Sequence, residues 1–253
     1  MRLIGMVHLG PLPGSPRYDG DLDPVVAAAL LDAHRLADSG FDAILVENFG
    51  DAPFFADDVP KVTVAAMTRA VSAITEAVDM PVGVNVLRND ARAALAVSAA
   101  TGANFIRVNV LSGTMSTDQG PITGRAAEVA RLRASICPGV EVLADVFVKH
   151  AAPPPGLSIE QAARDLWQRA GAHGIVVSGA GTGDPVDDAR LAAVRKAVPD
   201  APLYAGSGVD ASTVADILEV CDGAIVGTAV KEGGVTTAPV DPDRARALVK
   251  AAG

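Results

Sequence analysis

The chain has 253 residues, of which 49% are hydrophobic and 20% are charged. This composition excludes a disordered chain and a small disulfide-stabilised scaffold, because apolar residues are plentiful and the length is ample for a hydrophobic core. The net charge of -9 argues against a broad surface for nucleic acid and against binding to an anionic membrane surface, so any bound anion needs a local, shaped site.

The N-terminal segment and the cysteines indicate a cytoplasmic protein. The opening MRLIGMVHLGPLPG has an apolar run broken by His8, Pro11 and Pro13, so it is predicted to form a first strand and not a signal peptide. Cys137 and Cys221 lie far apart and form no C-x-x-C pair, which favours neither a disulfide framework nor a cysteine zinc site. No stretch approaches the roughly 20 apolar residues that a membrane-spanning helix requires.

Short apolar runs alternate with longer, alanine-rich segments of helical period along the whole chain. The apolar runs predict eight strands, at residues 2–8, 42–48, 81–87, 104–110, 140–148, 173–178, 202–206 and 223–227. The segments between them predict helices near residues 24–39, 60–79, 89–101, 123–136, 158–170, 186–198, 211–220 and 241–252. Residue types of helix starts occur at Asp23, Ser158 and Asp241, and helix stops are expected at Gly40, Gly102 and Gly171.

The repeated strand and helix units predict an α/β protein with a single-domain (β/α)8 TIM barrel over residues 1–253. Each unit has about 32 residues, which is the usual size in such a barrel. An open, doubly wound sheet is the alternative, but near-equal units without a long insertion favour closure. In a TIM barrel the chemistry lies at the carboxyl ends of the strands, so candidate residues are sought there.

The last two units, in YAGSGVDASTVADILEVCDGAIVGTAVKEGG, end their predicted strands in glycine and small hydroxyl residues. Glycines allow close backbone approach to an anion, and N–H groups at a short helix start supply partial positive charge. TIM barrels often bind phosphate after strands 7 and 8. The predicted phosphate ligands are Gly206, Ser207, Gly208, Gly227 and Thr228. The alternative is that tight turns simply require glycine.

A second glycine-rich loop, SGAGTGDP, covers residues 178–185 after the sixth predicted strand. Its G-x-G-x-G pattern lacks the spacing of a dinucleotide fingerprint, and no cofactor is predicted. We expect a substrate loop from which Thr182 and Asp184 reach the substrate. Asp184 followed by Pro185 fits the cap of the sixth helix equally well.

Glu47 ends the apolar run AILV and is the first candidate general base. Its carboxylate should lie at the barrel mouth beside apolar walls. The following loop, GDAPFFADD, carries Asp51, Asp57 and Asp58 together with two phenylalanines that could fold over a substrate. For Asp51 and Asp57 we favour a solvated acidic loop.

On the fifth predicted strand, Asp145, Phe147 and Lys149 share one face by the alternation of a strand. Asp145 and Lys149 would lie about 13 Å apart, with Asp145 deeper and Lys149 at the rim. A desolvated Lys149 would form a Schiff base with a carbonyl substrate or polarise an oxyanion. The alternative is a solvent-facing rim residue or a phosphate contact.

Further polar residues complete a ring at the predicted mouth. Arg107 and Asn109 share a face of the fourth strand, and Asn85 ends the third. An inward arginine needs an acidic partner, so a structural Arg107–Asp145 pair is favoured over direct catalysis. His8 is another candidate acid or base, with a structural hydrogen bond as the alternative. Metal-ligand spacing is absent and no metal is predicted, although histidine and carboxylate groups can converge in space.

Several motifs occur from one end of the chain to the other: IGMVHLGPLPGSPRY, ILVENFGDAPF, NVLRND, FIRVNV, ADVFVKHA and GSGV with GTAVK. Together they resemble the BtpA/SgcQ family across essentially the whole chain. The resemblance implies a TIM barrel of the phosphate-binding group. It also implies a link to photosystem I biogenesis, with which cyanobacterial members have been associated.

A more distant likeness is to the tryptophan synthase α subunit, through ILVENFGDAPFFADD, GSGV and GTAVK. In that enzyme a strand-two glutamate and an aspartate eleven residues later act as acid and base beside a glycine-bound phosphate. Glu47 and Asp58 have this spacing. The loop around the aspartate is not reproduced and the strand-five Asp-x-x-x-Lys is extra, so the likeness implies the geometry of a site and not its substrate.

These residues predict an enzyme, either a lyase, an aldolase or an isomerase, that acts on a small phosphorylated metabolite. Glu47 would move the proton, and Asp145, Lys149 and Asn109 would orient or polarise the reacting carbon–oxygen group. The predicted substrate contacts are Asn85, Arg107, Thr182 and Asp58. The alternative is a non-catalytic barrel that binds a metabolite or a protein partner, as an assembly factor would. The apolar-rich composition also predicts a homo-oligomer.

Overall fold

The computed structural model describes residues 2–179, 181–182 and 186–253. The strands within this part of the chain are β1 Leu3–His8, β2 Ala43–Glu47, β3 Val82–Asn85, β4 Phe105–Val108, β5 Thr114–Thr117, β6 Gly120–Thr123, β7 Glu141–Val146, β8 Ala151–Ala152, β9 Gly174–Val177, β10 Leu203–Ala205 and β11 Gly223–Val226. The helices are α1 Asp23–Ser39, α2 Lys61–Ala77, α3 Ala91–Thr101, α4 Ala126–Ile136, α5 Ile159–Arg164, α6 Asp188–Ala197, α7 Val214–Val220 and α8 Pro242–Ala252. A π-helical turn, Asp165–Arg169, extends α5, and short 3-10 turns occupy Phe49–Asp51, Thr228–Val230 and Glu232–Gly234.

Eight of the strands close a parallel barrel in the order β1-β2-β3-β4-β7-β9-β10-β11, and β11 pairs with β1. This confirms the predicted (β/α)8 TIM barrel. The register places His8 of β1 beside Glu47 of β2, and Glu47 beside Asn85 of β3. Three polar residues that are far apart in sequence therefore lie side by side at the carboxyl end of the barrel.

Apolar side chains fill both sides of the strands, because every barrel strand lies between the interior and a layer of helices. The larger cluster packs the outward faces of the strands against the helices. A separate cluster fills the interior, and it includes Met6, Leu45, Phe105 and Ile225. A Cβ atom at Gly83 would overlap the Phe105 ring, so glycine at this position makes room for the aromatic side chain.

The predicted helix ends are confirmed with one exception. The Ser158 side chain accepts from the Gln161 amide, and Asp241 accepts from the first amides of α8. Asp23 does not cap α1: Leu22 occupies the cap position without a side-chain hydrogen bond, and the Asp23 carboxylate instead pairs with an arginine of α2. The expected stop glycines all adopt positive φ, at Gly40, Gly102 and Gly171.

An antiparallel hairpin, formed by β5 and β6, lies where the sequence analysis places no strand. It pairs with the short β8, so the segments that follow β4 and β7 are joined in a second, three-stranded sheet. Met115 and Ile122 of the hairpin bury their side chains against Val110 and Val148. The barrel strands β4 and β7 are accordingly shorter than predicted, because the chain leaves the barrel to build this sheet.

Candidate functional site

A cavity of about 260 Å³ opens at the carboxyl ends of the barrel strands. Side chains from the ends of β1, β2 and β4 line one part of it, and the turns after β10 and β11 line another. This is the position at which TIM barrels carry their chemistry. The residues from the sequence analysis that line this cavity are His8, Glu47, Arg107, Lys149, Thr182, Gly206, Ser207, Gly208, Gly227 and Thr228.

Glu47 is buried at the cavity wall and its two carboxylate oxygens have different neighbours. Oε2 accepts a hydrogen bond of 2.6 Å from the Asn85 side chain, which holds the carboxylate in one orientation. Oε1 lies 3.8 Å from Nε2 of His8. The predicted base is therefore fixed on one side by an amide and open toward the cavity on the other.

His8 is neutral, and the nitrogen that it presents on the side of Glu47 is a hydrogen-bond acceptor. Its Nδ1 lies 3.1 Å from the backbone oxygen of Thr236, and since a carbonyl only accepts, Nδ1 carries the proton. Burial, followed by the charge of Lys231, lowers the pKa of His8 to about 3, so the imidazole is uncharged near neutral pH. The lone pair of Nε2 and the carboxylate of Glu47 thus face the same space, which suits a substrate hydroxyl or another proton donor.

Asp145 forms the centre of a buried hydrogen-bond cluster beneath the cavity. Arg107 donates to it twice, from Nε at 2.9 Å and from Nη2 at 2.8 Å, as the sequence analysis favours. Asn109 adds a bond of 3.0 Å and the Ser178 hydroxyl one of 3.2 Å. Burial disfavours the charged guanidinium, but Asp145 outweighs this effect and raises the pKa of Arg107. Asp145 and Asn109 do not line the cavity, so they position Arg107, which does.

Lys149 lines the cavity although β7 ends at Val146. The expected alternation of Asp145, Phe147 and Lys149 along one strand is therefore wrong. Phe147 and His150 adopt φ of +51° and +57°, in the left-handed region that non-glycine residues rarely occupy, and the chain turns at both. Burial, followed by the charge of Arg107, lowers the pKa of Lys149. Within the described part of the chain, no carboxylate lies within 4.0 Å of its ammonium.

Two of the predicted phosphate ligands also serve the packing of the turn. The Gly206 amide donates to Val177 at 2.7 Å, and a Cβ atom on Gly206 would lie 2.5 Å from Oγ of Ser178. The Ser207 hydroxyl accepts from the Gly179 amide at 2.7 Å. The alternative given for these turns, that a tight turn simply requires glycine, thus applies to Gly206.

The remaining amides of the two turns are available to an anion. The backbone N–H groups of Gly208, Val209, Thr228 and Ala229 make no hydrogen bond with any residue that the structure describes, and all four residues line the cavity. Gly208 has φ of +65°, which favours glycine here. Unpaired amides at the start of the short Thr228–Val230 helix are a suitable cradle for a phosphate group.

Arg244 is a cavity residue that sequence reasoning missed. It lies in the first turn of α8, and its Nη1 donates to the backbone oxygen of Ala229 at 3.3 Å. An arginine in the first turn opposes the helix dipole, and this unfavourable position was the available signal. Lys231, from the GTAVK motif, has a different role: its Nζ forms a buried ion pair of 2.6 Å with Asp32 of α1 and holds the loop that carries the amides.

Asp58 is not brought to the cavity. Its side chain is 81% exposed and pairs with Arg92 at 3.4 Å, so the eleven-residue spacing from Glu47 does not place the two carboxylates together. Asp51 differs from the expected solvated acid, because it accepts hydrogen bonds from the Leu12 amide and the Asn48 side chain. Asp57 pairs with Arg125 and Asp58 with Arg92, and neither aspartate lines the cavity.

The second glycine-rich loop is only partly described. Thr182 lines the cavity, and its hydroxyl lies 3.1 Å from Nε2 of His150, so the segments after β7 and β9 meet at the rim. Asp184 and Pro185 lie outside the described residues. Among the residues that are described, no group of three or more His, Cys, Asp or Glu side chains has the arrangement of a metal site, and no helix has the length and apolarity to cross a membrane.

Comparison with known proteins agrees with this architecture. A sequence model of the BtpA family matches residues 1–253. An uncharacterized protein of Thermococcus kodakarensis is 48% identical over 252 residues, which cover 99% of this chain and 94% of that protein. The Photosystem I biogenesis protein BtpA of Synechocystis sp. is 43% identical over 249 residues, which cover 98% of this chain and 87% of that protein. A solved tryptophan synthase from M. tuberculosis has a similar fold, with a TM-score of 0.62 and 22% identity over 99% of this chain and 91% of that one.

Proposed function

The chain belongs to the BtpA family, and we propose that it is an enzyme that acts on a small phosphorylated metabolite by general acid–base chemistry. One observation carries this proposal: a single cavity joins a buried glutamate and a neutral histidine to backbone amides and a lysine that are unpaired among the described residues. An anion cradle and a proton-transfer group in one cavity are the two parts that such a reaction requires.

The phosphate end of the proposed substrate binds at the turns after β10 and β11. The N–H groups of Gly208, Val209, Thr228 and Ala229 donate to the phosphate oxygens, and Arg244 adds a positive charge from α8. Binding at this end contributes to catalysis by holding the reacting carbon at a set distance from the carboxylate of Glu47.

At the other end Glu47 removes a proton from the substrate. Asn85 keeps the carboxylate oriented, and Nε2 of His8 accepts a hydrogen bond from a substrate hydroxyl beside it. Lys149 and Arg107 stabilise the negative charge that develops on the neighbouring oxygen. Proton removal next to a polarised carbon–oxygen group is common to isomerases, aldolases and lyases. We propose that the reaction belongs to one of these three classes.

The first measurement is a thermal-shift screen with phosphorylated metabolites and their dephosphorylated forms. A ligand at 100 times its Kd adds about 2.7 kcal/mol to the unfolding free energy, which raises Tm by several degrees. We expect shifts from phosphorylated compounds only, and a loss of these shifts in Arg244→Gln. The exposed Arg246→Gln, two positions along α8, is the matched control.

The hits of the screen are then used as substrates to test Glu47. We expect Glu47→Gln to retain ligand binding and to lose turnover by a factor of about 100 or more, because the amide keeps the shape but cannot accept the proton. Full activity of this variant would remove Glu47 from the role of base. Borohydride trapping of a carbonyl substrate on Lys149 separates a Schiff base from electrostatic stabilisation.

A second candidate function is a non-catalytic binding or assembly factor. It is favoured by the 43% identical relative that is named a Photosystem I biogenesis protein. This function predicts that Glu47 and Lys149 can be neutralised without consequence. In its form as a protein-binding assembly factor, it also predicts that no phosphorylated metabolite raises Tm. A screen without a hit would therefore place this candidate ahead of the enzyme.

A further inference from the structure

Arg88 is a buried cation that the proposed mechanism does not use. It follows β3 at the carboxyl end of the barrel, and only 5% of the residue is exposed. Its Nη2 donates to the backbone oxygen of Lys149 at 2.5 Å. Within the described part of the chain, no carboxylate lies within 4.0 Å of its guanidinium. A buried charge without a counter-ion is costly, so proteins keep one where a ligand completes the pair.

The acidic groups around Arg88 already accept hydrogen bonds from other residues. Asp145 accepts four hydrogen bonds within its own cluster. Glu47 accepts from Asn85. Burial lowers the pKa of Arg88, whereas both carboxylates, and Asp118 on the hairpin, favour its charged form at longer range. None of the three offers the close bidentate contact that a guanidinium prefers.

Lys149 lies next to Arg88 and is also without a carboxylate within 4.0 Å in the part of the chain that the structure describes. The backbone oxygen of Lys149 accepts the hydrogen bond from Arg88. The side chain of Lys149 lines the cavity, whereas Arg88 is not among the residues that line it. Apart from the exposed Asp118, three cations, Arg88, Lys149 and Arg107, thus lie near two carboxylates, while His8 is neutral. A local excess of positive charge within a chain of net charge -9 marks a site for an anion.

The region around Arg88 and Lys149 is distinct from the cradle that the amides of the turns after β10 and β11 form. Arg88 follows β3, which is four strands from β10 around the eight-stranded barrel, and β10 precedes the first turn of the cradle. A single phosphate cannot occupy both positions. Two separate anion sites in one mouth imply two anionic groups on one ligand.

We propose that the substrate carries a carboxylate in addition to its phosphate, and that this carboxylate binds beside Lys149 and Arg88. The inference rests on the proposed function and defines its substrate class as phosphorylated carboxylic acids. Lys149 contacts the carboxylate from the cavity wall, and Arg88 stabilises it from behind. Glu47 then acts on a carbon that lies between the two anionic ends.

The test compares probes that differ only in the carboxylate. The pairs are 3-phosphoglycerate with glycerol 3-phosphate, and 6-phosphogluconate with sorbitol 6-phosphate, with inorganic phosphate alongside. Calorimetry on the full chain measures Kd for each. We expect the acid of the better-fitting pair to bind about tenfold or more tightly than its partner, since hydrogen bonds to charged groups are among the stronger ones.

Variants assign the difference to the two cations. Arg88→Met and Lys149→Met are expected to reduce the acid preference to less than threefold. Arg88→Met should also leave the Kd of the partner without a carboxylate unchanged, which shows that this variant is folded. Arg88→Lys should restore part of the preference, because it retains the charge but not the shape of the guanidinium.

Each outcome decides between the proposals. If the phosphate compounds bind and neither acid is preferred, the second anion site is refuted and the proposed function stands. An acid preference that persists in both Arg88→Met and Lys149→Met would also refute the second anion site and leave the proposed function standing. If neither inorganic phosphate nor any of the four compounds binds, the proposed function fails and this inference fails with it.

Discussion

Asp145 has a supporting role at the residue scale, because its oxygens are occupied by Arg107, Asn109 and Ser178. A carboxylate with four donors has little capacity left to take a proton from a substrate. Its contribution is to neutralise and orient Arg107, whose guanidinium is the member of the cluster that lines the cavity. One oxygen of the cluster, Oδ1 of Asn109, is buried without a partner among the described residues.

Replacing Asp145 tests this role. Asp145→Asn keeps the shape but leaves the Arg107 charge buried without a counter-ion, so we expect a loss of about 3–5 kcal/mol in unfolding free energy. Urea denaturation followed by circular dichroism measures it. Asp58→Asn removes an exposed ion pair and should cost no more than about 1 kcal/mol. Equal losses in the two variants would contradict a buried structural pair.

His8 makes stability depend on pH. Its pKa is about 3 in the folded protein and near 6.5 in the unfolded chain, so between these values only the unfolded chain binds the proton. Acidification therefore favours unfolding, and stability falls as pH is lowered from 6.5 toward 3. The contribution of this single group is at most about 1.4 kcal/mol per pH unit.

The expected result for His8→Gln is a shallower loss of stability between pH 6.5 and pH 4, measured by urea denaturation at a series of pH values. Glutamine cannot take up the proton in either state, so the corresponding part of the slope disappears. His34→Gln on the exposed face of α1 is the matched control for loss of an imidazole. An unchanged slope in His8→Gln would mean that His8 is protonated in the folded protein.

At the element scale, the N-terminus of α8 connects stability to the cradle. Asp241 accepts hydrogen bonds from the amides of Asp243 and Arg244, and its Oδ2 lies 3.8 Å from Nε of Arg244. The cap therefore begins the helix and also positions the arginine that faces the phosphate end. The hydroxyls of Thr228 and Thr236 lie 2.9 Å apart, and the backbone oxygen of Thr236 is the hydrogen-bond partner of His8. The loop that precedes α8 therefore connects the phosphate end of the cavity with His8.

Removing the cap should affect both properties. Asp241→Ala is expected to cost about 1 kcal/mol of unfolding free energy, as loss of a capping side chain usually does. It should also weaken phosphate binding several-fold, because Arg244 is no longer held. Ser158→Ala removes the cap of α5 and is the control: a similar loss of stability with unchanged Kd for inorganic phosphate is expected. A weaker Kd in both variants would indicate a general effect of destabilisation.

The closed barrel determines behaviour at the scale of the whole molecule. Every barrel strand has a partner on both sides, and β11 joins β1, so the first and last units share one sheet. Unfolding of any one strand and helix unit would expose the edges of the two neighbouring strands. We therefore expect residues 1–253 to unfold as one cooperative domain.

Two probes test this cooperativity. Trp167, the single tryptophan of the chain, lies in the turn after α5, and far-UV circular dichroism reports on all helices. We expect the urea midpoints from Trp167 fluorescence and from circular dichroism to coincide. Separate midpoints would divide the barrel into independently unfolding parts. The homo-oligomer expected from composition stays a prediction, for which sedimentation is the direct measurement.

The sequence by itself determined the order of the eight barrel strands and their helices, the closed barrel and the region of the mouth. Apolar periodicity and glycine stops are local properties of the chain, and they mark where strands and helices begin and end. Because parallel strands end on one side of a barrel, residues such as Glu47 and His8 could be assigned to the mouth without coordinates. The Arg107–Asp145 pair followed from the need of an inward charge for a partner.

Only the tertiary structure decided which of these residues share the cavity. Asp58 pairs with Arg92 away from the cavity, and the strand end at Val146 changes the direction of Phe147. Arg244 lines the cavity from a helix and Arg88 is buried in the loop after β3, and neither position carries a periodic signal. Their positions depend on packing between segments that are far apart in the chain, and residue spacing does not record such contacts.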